Sequence, residues 1–416
     1  MARKNHPHST DDQTVCLMLE ILEHIMKSVN TLLVIILSMI VGCRGDSKQS
    51  TDELLIVDVT ASYPQKELIL QDFMTVEYVP LETSDDFVNQ GFVLAIGKEV
   101  MLVKNRVNDG DIFIYDINGK ALRKINRKGQ GAEEYLFIHE ITLDEDNNEM
   151  FVNDLLRKKI LVYDLYGKFK RSFDHPNSAT YANIHLYDKD NLICYDSSVN
   201  DSEGEDRGSQ SFHFVISKQD GRINREIFIP FKKTNSHRIF HEEYVFTFLS
   251  DDYSIIPYHG NWMLADLSTD TIYQYSPNGR LSPFIVRTPS IRSMTPDKIL
   301  LLKNITERYY FMETYRKELD VKTMNVLARP EYLVYDRQEK AIFNYKVYNN
   351  EYLEKRQIDM GNLIASDDIA FWRIMEAHRL VEYYKKGDFR DGKLKDIASR
   401  LDEEDNPVIM LIKHKK

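Results

Sequence analysis

Cysteine is scarce in this chain: Cys16, Cys43 and Cys194 are the only three in 416 residues, too few for a disulfide framework. Any excess of basic residues is missing too. The formal charge is −11, with acidic and basic residues mixed along the chain, so no cationic stripe offers itself to a phosphate backbone and nucleic acid is excluded as a partner. The apolar run from Leu32 to Val41 falls short of the roughly 20 residues that a permanent membrane-spanning helix needs. Compact catalytic motifs are absent as well. His139, His185, His213, His237, His241 and His259 form no HExxH, and only His237 and His241 stand four apart. No Gly-x-Ser-x-Gly elbow occurs, and Cys194 has no neighbouring base. The sequence therefore assigns no catalytic residue, no metal ligand and no cofactor.

What is present is core material. Apolar residues make up 43% and aromatics 11% of the chain, enough to bury a large interior in one big domain or two ordinary ones. The run Leu32–Val41 follows Lys27 and ends on Gly42, the length and flanks of an export signal's core. Met26-Lys27 is a better start for such a signal than "MARKNHPHSTDDQTVCLMLEILEHI", which carries Asp11, Asp12, Glu20 and Glu23. Residues 1–25 read as an upstream extension, 26–43 as the signal, 44–53 as a polar tether, and 54–416 as the folded domain. Ile40-Val41-Gly42-Cys43 resembles the bacterial lipobox, which implies acylation at Cys43 and attachment to a membrane through lipid.

Beyond the tether the pattern changes. "DIFIYDINGKALRKI" (111–125) and "KILVYDLYGKFKRSF" (159–173) alternate apolar residues at period two, turn on Asn-Gly or Tyr-Gly, and resume as a second strand. "FVNDLLRKKILVYDLYGK" (151–168) aligns without a gap on "MLADLSTDTIYQYSPNGR" (263–280), matching Asp154 with Asp266, Ile160 with Ile272, Tyr163 with Tyr275 and Gly167 with Gly279. "YLVYDRQEKAIFNYKVY" (332–348) offers Asp336, Ile342 and Tyr345 as the same three marks, and "SFHFVISKQDGRINREIF" (211–228) keeps a strand and an Asp220-Gly221 turn after an acidic insertion. Repeats of this kind bury their sheet faces against one another around an axis. The repeated aspartates read as acceptors of turn hydrogen bonds. "VEYVPLET" (76–83) and "NPVIMLIKHK" (406–415) supply a sixth, composite blade that pairs the two chain ends. The expected fold is all-β, a six-bladed β-propeller. Apolar spacing in 366–405 adds a small helical insertion in the last blade, and "TPDKILLLKNITERYYFMETYRKEL" (295–319) reads as a short helix followed by strands.

"RKGQGAEEYLFIHEITLDEDNNEMFVNDLLRKKILVYDLYGKFKRSF" (127–173) resembles an NHL-type repeat, with Gly129-Gln130-Gly131-Ala132-Glu133-Glu134-Tyr135 as its best motif. With the lipobox and the two terminal strands, residues 50–415 are similar to the six-bladed β-propeller lipoproteins of gut Bacteroidetes. That resemblance implies an exported, lipid-anchored protein of the cell envelope. Fold alone confers no activity. The preferred reading is a binding module that takes an envelope protein or a glycan at one propeller mouth. Its candidate contacts are Tyr135, Tyr258, His259, Trp262, Arg308 and Tyr309. The alternative is a metal-dependent hydrolase or lyase using the central channel.

Overall fold

The computed structural model describes residues 54–415 apart from 202, 207–209, 250–252, 328–329 and 362–367. Cys43, the signal and the tether lie outside the described residues. Five four-stranded antiparallel meanders and one composite sheet make up the ring. Blade 1 is Phe92–Ile96, Val100–Lys104, Asp111–Asp116 and Ala121–Asn126; blade 2 is Glu140–Asp144, Glu149–Asp154, Lys159–Asp164 and Phe169–Asp174. Blade 3 is Tyr181–Leu186, Asn191–Asp196, His213–Ser217 and Ile223–Ile227, and blade 4 is Ile255–Tyr258, Asn261–Leu264, Thr271–Tyr275 and Leu281–Thr288. Blade 5 is Lys298–Ile305, Tyr309–Arg316, Glu331–Asp336 and Ala341–Asn349.

Middle strands are buried on both faces and outermost strands on one. Ile112–Tyr115 is continuously buried, whereas Ala121–Asn126 alternates. Each blade covers its neighbour: Phe151, Ile160, Val162 and Phe173 of blade 2 pack against Ile184, Leu192, Cys194, Phe214 and Ile216 of blade 3. Burying each large side chain there contributes about 1.5–3 kcal/mol. Cys194 is thus an interior strand residue, and burial pushes its thiol pKa well up.

A second contact repeats around the ring. The turn between the third and fourth strands of a blade presents a glycine to the outermost strand of the preceding blade. A Cβ on Gly167 would lie 2.7 Å from Ile125, and one on Gly221 2.4 Å from Phe173. Both glycines have positive φ, +81° and +72°, so the turn needs glycine for its backbone and for the close approach. Gly119 meets Val79 and Pro80 in the same way, which marks Met74–Pro80 as the outermost strand of blade 6.

Ring closure follows the expected route. Val408–His414 pairs with Met74–Pro80 on one side and with Ile369–Met375 on the other. Before reaching blade 6 the N-terminal segment visits two other outer edges: Leu55–Asp58 adds parallel to Leu281–Thr288, and Gln65–Ile69 adds parallel to Ala341–Asn349. One short segment thereby covers the edges of blades 4 and 5 and completes blade 6, removing free strand edges that would otherwise invite pairing with other chains.

Three expectations need correction. Residues 332–348 form a hairpin, but Asp336 ends the third strand of blade 5, whereas Asp154 ends the second strand of blade 2; a two-residue period matches any hairpin to any other. The segment 295–319 contains no helix: Lys298–Ile305 is a fully buried strand preceded by a 3-10 turn at Ile291–Ser293. The helical insertion is present but shorter. Ile369–Met375 is strand, and only α1 (Ala377–Lys386) and α2 (Lys393–Ala398) are helical. α1 stops at Gly387, which has φ +73°.

Candidate functional site

An antiparallel meander places its reversals alternately at the two ends of the ring. At one end lie the tight turns 97–99, 117–120, 145–148, 165–168, 276–280 and 337–340. At the other lie the second-to-third connections and the passages between blades. That end carries the hairpin Arg238–His241/Tyr244–Thr247, the two-residue ladder Leu319–Asp320/Asn325–Val326, and both helices. An ion pair of 3.5 Å from Arg106, in the 105–110 connection, to Glu376 at the start of α1 ties the helices to this end.

The six residues expected from sequence are divided between the ends. Tyr135 is at the loop-rich end but inside the protein: its hydroxyl donates to the Gly110 carbonyl at 2.7 Å and accepts from the Arg127 N–H at 2.9 Å. Burial pushes its pKa up to about 12. The glycine motif before it is stapled down by Arg157, which donates to the carbonyls of Gly131 and Glu134 at 3.0 and 2.7 Å. Tyr258 and His259 adjoin a tight turn with their rings 4.3 Å apart, and His259 is exposed. Trp262 is buried and stacked on Tyr187 at 4.5 Å. Arg308 and Tyr309 also lie at the tight-turn end, Arg308 held by Asp336 at 2.9 Å and Tyr309 buried beneath it. These six side chains do not converge on one site. His237 is buried, and His241 belongs to a strand rather than a helix. Among the described residues no three His, Cys, Asp or Glu side chains are grouped to hold a metal ion.

The repeated aspartates do serve turns. Asp154 accepts from the N–H groups of Leu136 and Arg157, and Asp266 from that of Ser268. Asp336 does more. Burial opposes its ionisation, but hydrogen bonds from Arg308 and Lys66 and from the Glu339 and Gln338 N–H groups overcome this and hold its pKa at about 2. Lys66, 2.7 Å away, sits on the added strand Gln65–Ile69, so the carboxylate pins the N-terminal segment to blade 5.

Sequence reasoning missed a polar cluster between blades 5 and 6. Lys303 lies at a register shift between Leu302 and Asn304, a bulge that redirects its side chain. Its ammonium is 3.4 Å from Glu313 and 3.7 Å above the Tyr253 ring. Lys303 also donates to the Tyr253 hydroxyl, and the Tyr315 hydroxyl donates to Glu313. The side chains of Lys303 and Glu313 are 5% and 2% exposed, whereas Arg373 and Asp359, paired at 3.3 Å, are 27% and 45% exposed. The cluster therefore has a dry floor and a wetter opening. Burial pushes the Glu313 pKa up, against the field of Lys303. The Tyr345 hydroxyl and the Arg373 Nε are buried without hydrogen-bond partners, and each such group costs about 1–3 kcal/mol. Gly361 closes over the lysine: a Cβ there would sit 2.3 Å from Lys303 Cε. Chemically, the cluster offers a carboxylate, a guanidinium and phenols to a polar ligand. Its only signal in the sequence is the density of tyrosines, which resembles ordinary core.

Residues 45–369 match the family described as a 6-bladed beta-propeller, DUF5128. The chain belongs to that family. A solved structure from Bacteroides fragilis, described as a candidate exported protein, superposes with TM-score 0.57 at 16% identity, covering 88% of this chain and 100% of that one. A member of the DUF4221 family from Bacteroides vulgatus gives TM-score 0.45 at 10% identity, with 83% and 98% covered. Virginiamycin B lyase from Staphylococcus aureus gives 0.38 at 11%, with 82% and 100% covered. No curated protein matches. At these identities the likeness shows the fold alone. Among the described residues no helix is long and apolar enough to cross a membrane.

Proposed function

We propose that this protein is an exported lipoprotein of the cell envelope whose loop-rich end binds a glycan or an envelope protein. The observation that carries the reading is the asymmetry of the ring: irregular connections, both helices and the buried polar cluster gather at one end, where binding groups are held by a rigid scaffold. The fold likeness to an exported Bacteroides protein and the Cys43 context support the compartment. An acyl chain contributes about 0.8 kcal/mol per buried methylene, so two or three chains hold a soluble ring at a bilayer. No observation of its own favours the hydrolase or lyase reading, since the lyase likeness carries no argument at its TM-score.

Two measurements test the proposal. Palmitate labelling in the native host should mark the wild-type chain and not Cys43→Ala, which should leave the membrane fraction; equal labelling of both would refute the anchor. Binding to envelope glycans and solubilised envelope proteins should be lost when the 317–330 and 376–405 connections are shortened and kept when tight turns are altered. The reverse pattern would refute the binding end.

A further inference from the structure

A groove of about 700 Å³ runs along the loop-side ends of the blade 5 strands, roofed by the linker Val59–Gln65 and by Met294. Its volume is that of a small-ligand site. Three cations line it, Lys298, Arg316 and Lys346, against one carboxylate, Glu331, in a chain of net charge −11. Lys298 is committed: its ammonium is 2.8 Å from Glu331, and it also faces Asp58, whose carboxylate is occupied by Thr60 at 2.7 Å. Arg316 and Lys346 are exposed and neither is in a close ion pair among the described residues; Glu67, opposite Lys346 in the added strand, is paired with Lys355. Around them the lining is polar and rich in hydroxyl and amide residues, including Thr60, Ser62, Gln65 and Gln357.

We propose that this groove binds an acidic saccharide, with its carboxylate or sulfate between Arg316 and Lys346. The guanidinium supplies a planar pair of donors and the ammonium a point charge. Hydroxyl and amide groups spaced along the walls match the alternating hydroxyls of a sugar. This deepens the binding reading above and rests on it.

The test is titration of wild type and of the double variant Arg316→Ala/Lys346→Ala, at physiological ionic strength, with polygalacturonate and chondroitin sulfate oligosaccharides. A neutral malto-oligosaccharide and poly-glutamate serve as comparators. Both substituted side chains are exposed, so the variant folds, and unchanged thermal unfolding confirms it. The expected result is binding of an acidic oligosaccharide that weakens roughly tenfold or more in the double variant, with no comparable response to either comparator. Which acidic oligosaccharide binds separates a carboxylate from a sulfate. Equal binding by wild type and variant, tighter binding of poly-glutamate, or no acidic saccharide binding would each overturn the proposal. Retained neutral-glycan or envelope-protein binding that depends on the 376–405 connection would then leave the broader reading standing; its absence would remove both.

Discussion

The two ends of the ring are built from the same strands but differ in what their turns hold. At the tight-turn end, hydrogen bonds from Arg171 hold the Glu149 carboxyl at about 2, against the opposing effect of its burial, and Asp336 is held equally low by Arg308 and Lys66. The loop-rich end holds two buried neutral imidazoles. Desolvation lowers His175 and His213 to about 4, and His185, beside the 187–190 turn at the other end, equally. His175 Nε2 lies 3.1 Å from the Asn153 Oδ1, and its Nδ1 accepts from the Tyr181 N–H at 3.3 Å. That pattern fixes the Nε2–H tautomer. Strongly depressed carboxylates mark the tight-turn end. The tight turns pack blade on blade, and the irregular end has freedom to diversify.

Four changes break or sharpen this contrast. Ending the chain after Pro407 removes the middle described strand of blade 6, and the expected result is loss of cooperative folding, read by circular dichroism and thermal melting. Gly167→Val puts a branched side chain at φ +81° against Ile125, and about 3 kcal/mol of stability should be lost in denaturant unfolding, with ligand binding by the surviving folded fraction unchanged.

Per group, acidification is next in size. The folded pKa of His175 and His213 lies below the ordinary value of about 6.5, so the unfolded chain binds more protons between about 6.5 and 4, and their contribution falls as pH drops through that window. The Glu149 and Asp336 pKa values are depressed, so their contribution is present above about 4 and is lost only as pH falls toward 2. Unfolding free energies should therefore decline by about 2 kcal/mol for each such histidine from pH 6.5 to 4.5, with hydrogen exchange at pH 4.5 accelerating first near His175 and His213. The smallest effect belongs to the hairpin Arg238–His241/Tyr244–Thr247, whose strands pair only with each other. Replacing 238–247 by a short turn should change stability by no more than about 0.5 kcal/mol, measured by thermal unfolding.

Architecture was legible because it repeats. Gly167 and Gly279 occupy the same turn in blades 2 and 4, and each faces the outermost strand of the blade before it; the gap-free alignment of 151–168 with 263–280 caught that equivalence. Closure by Val408–His414 was legible because Asn406-Pro407 punctuates an apolar strand. The helix expected before Ile305 failed because Lys298–Ile305 is buried along its whole length, and the short apolar run Ile299–Leu302 carries no period to distinguish strand from helix. Asp336 was aligned one strand out of phase for the complementary reason. The polar cluster was invisible: Lys303 reaches Glu313 through a bulge, and Asp359 and Arg373 come from separate connections and strands that only the closed ring brings together. Of the candidate contacts, Tyr135, Trp262 and Tyr309 are buried. An aromatic side chain beside a turn looks the same in sequence whether it caps a core or faces solvent.

Hydrogen exchange measured with and without a saturating acidic oligosaccharide tests the central claim most directly, because it reports both ends of the ring in one experiment. Added protection around Lys298, Arg316 and Tyr332, with the tight turns 117–120, 165–168 and 276–280 unchanged, is the result expected if ligands enter by the loop-rich end. Protection concentrated at those turns would contradict it.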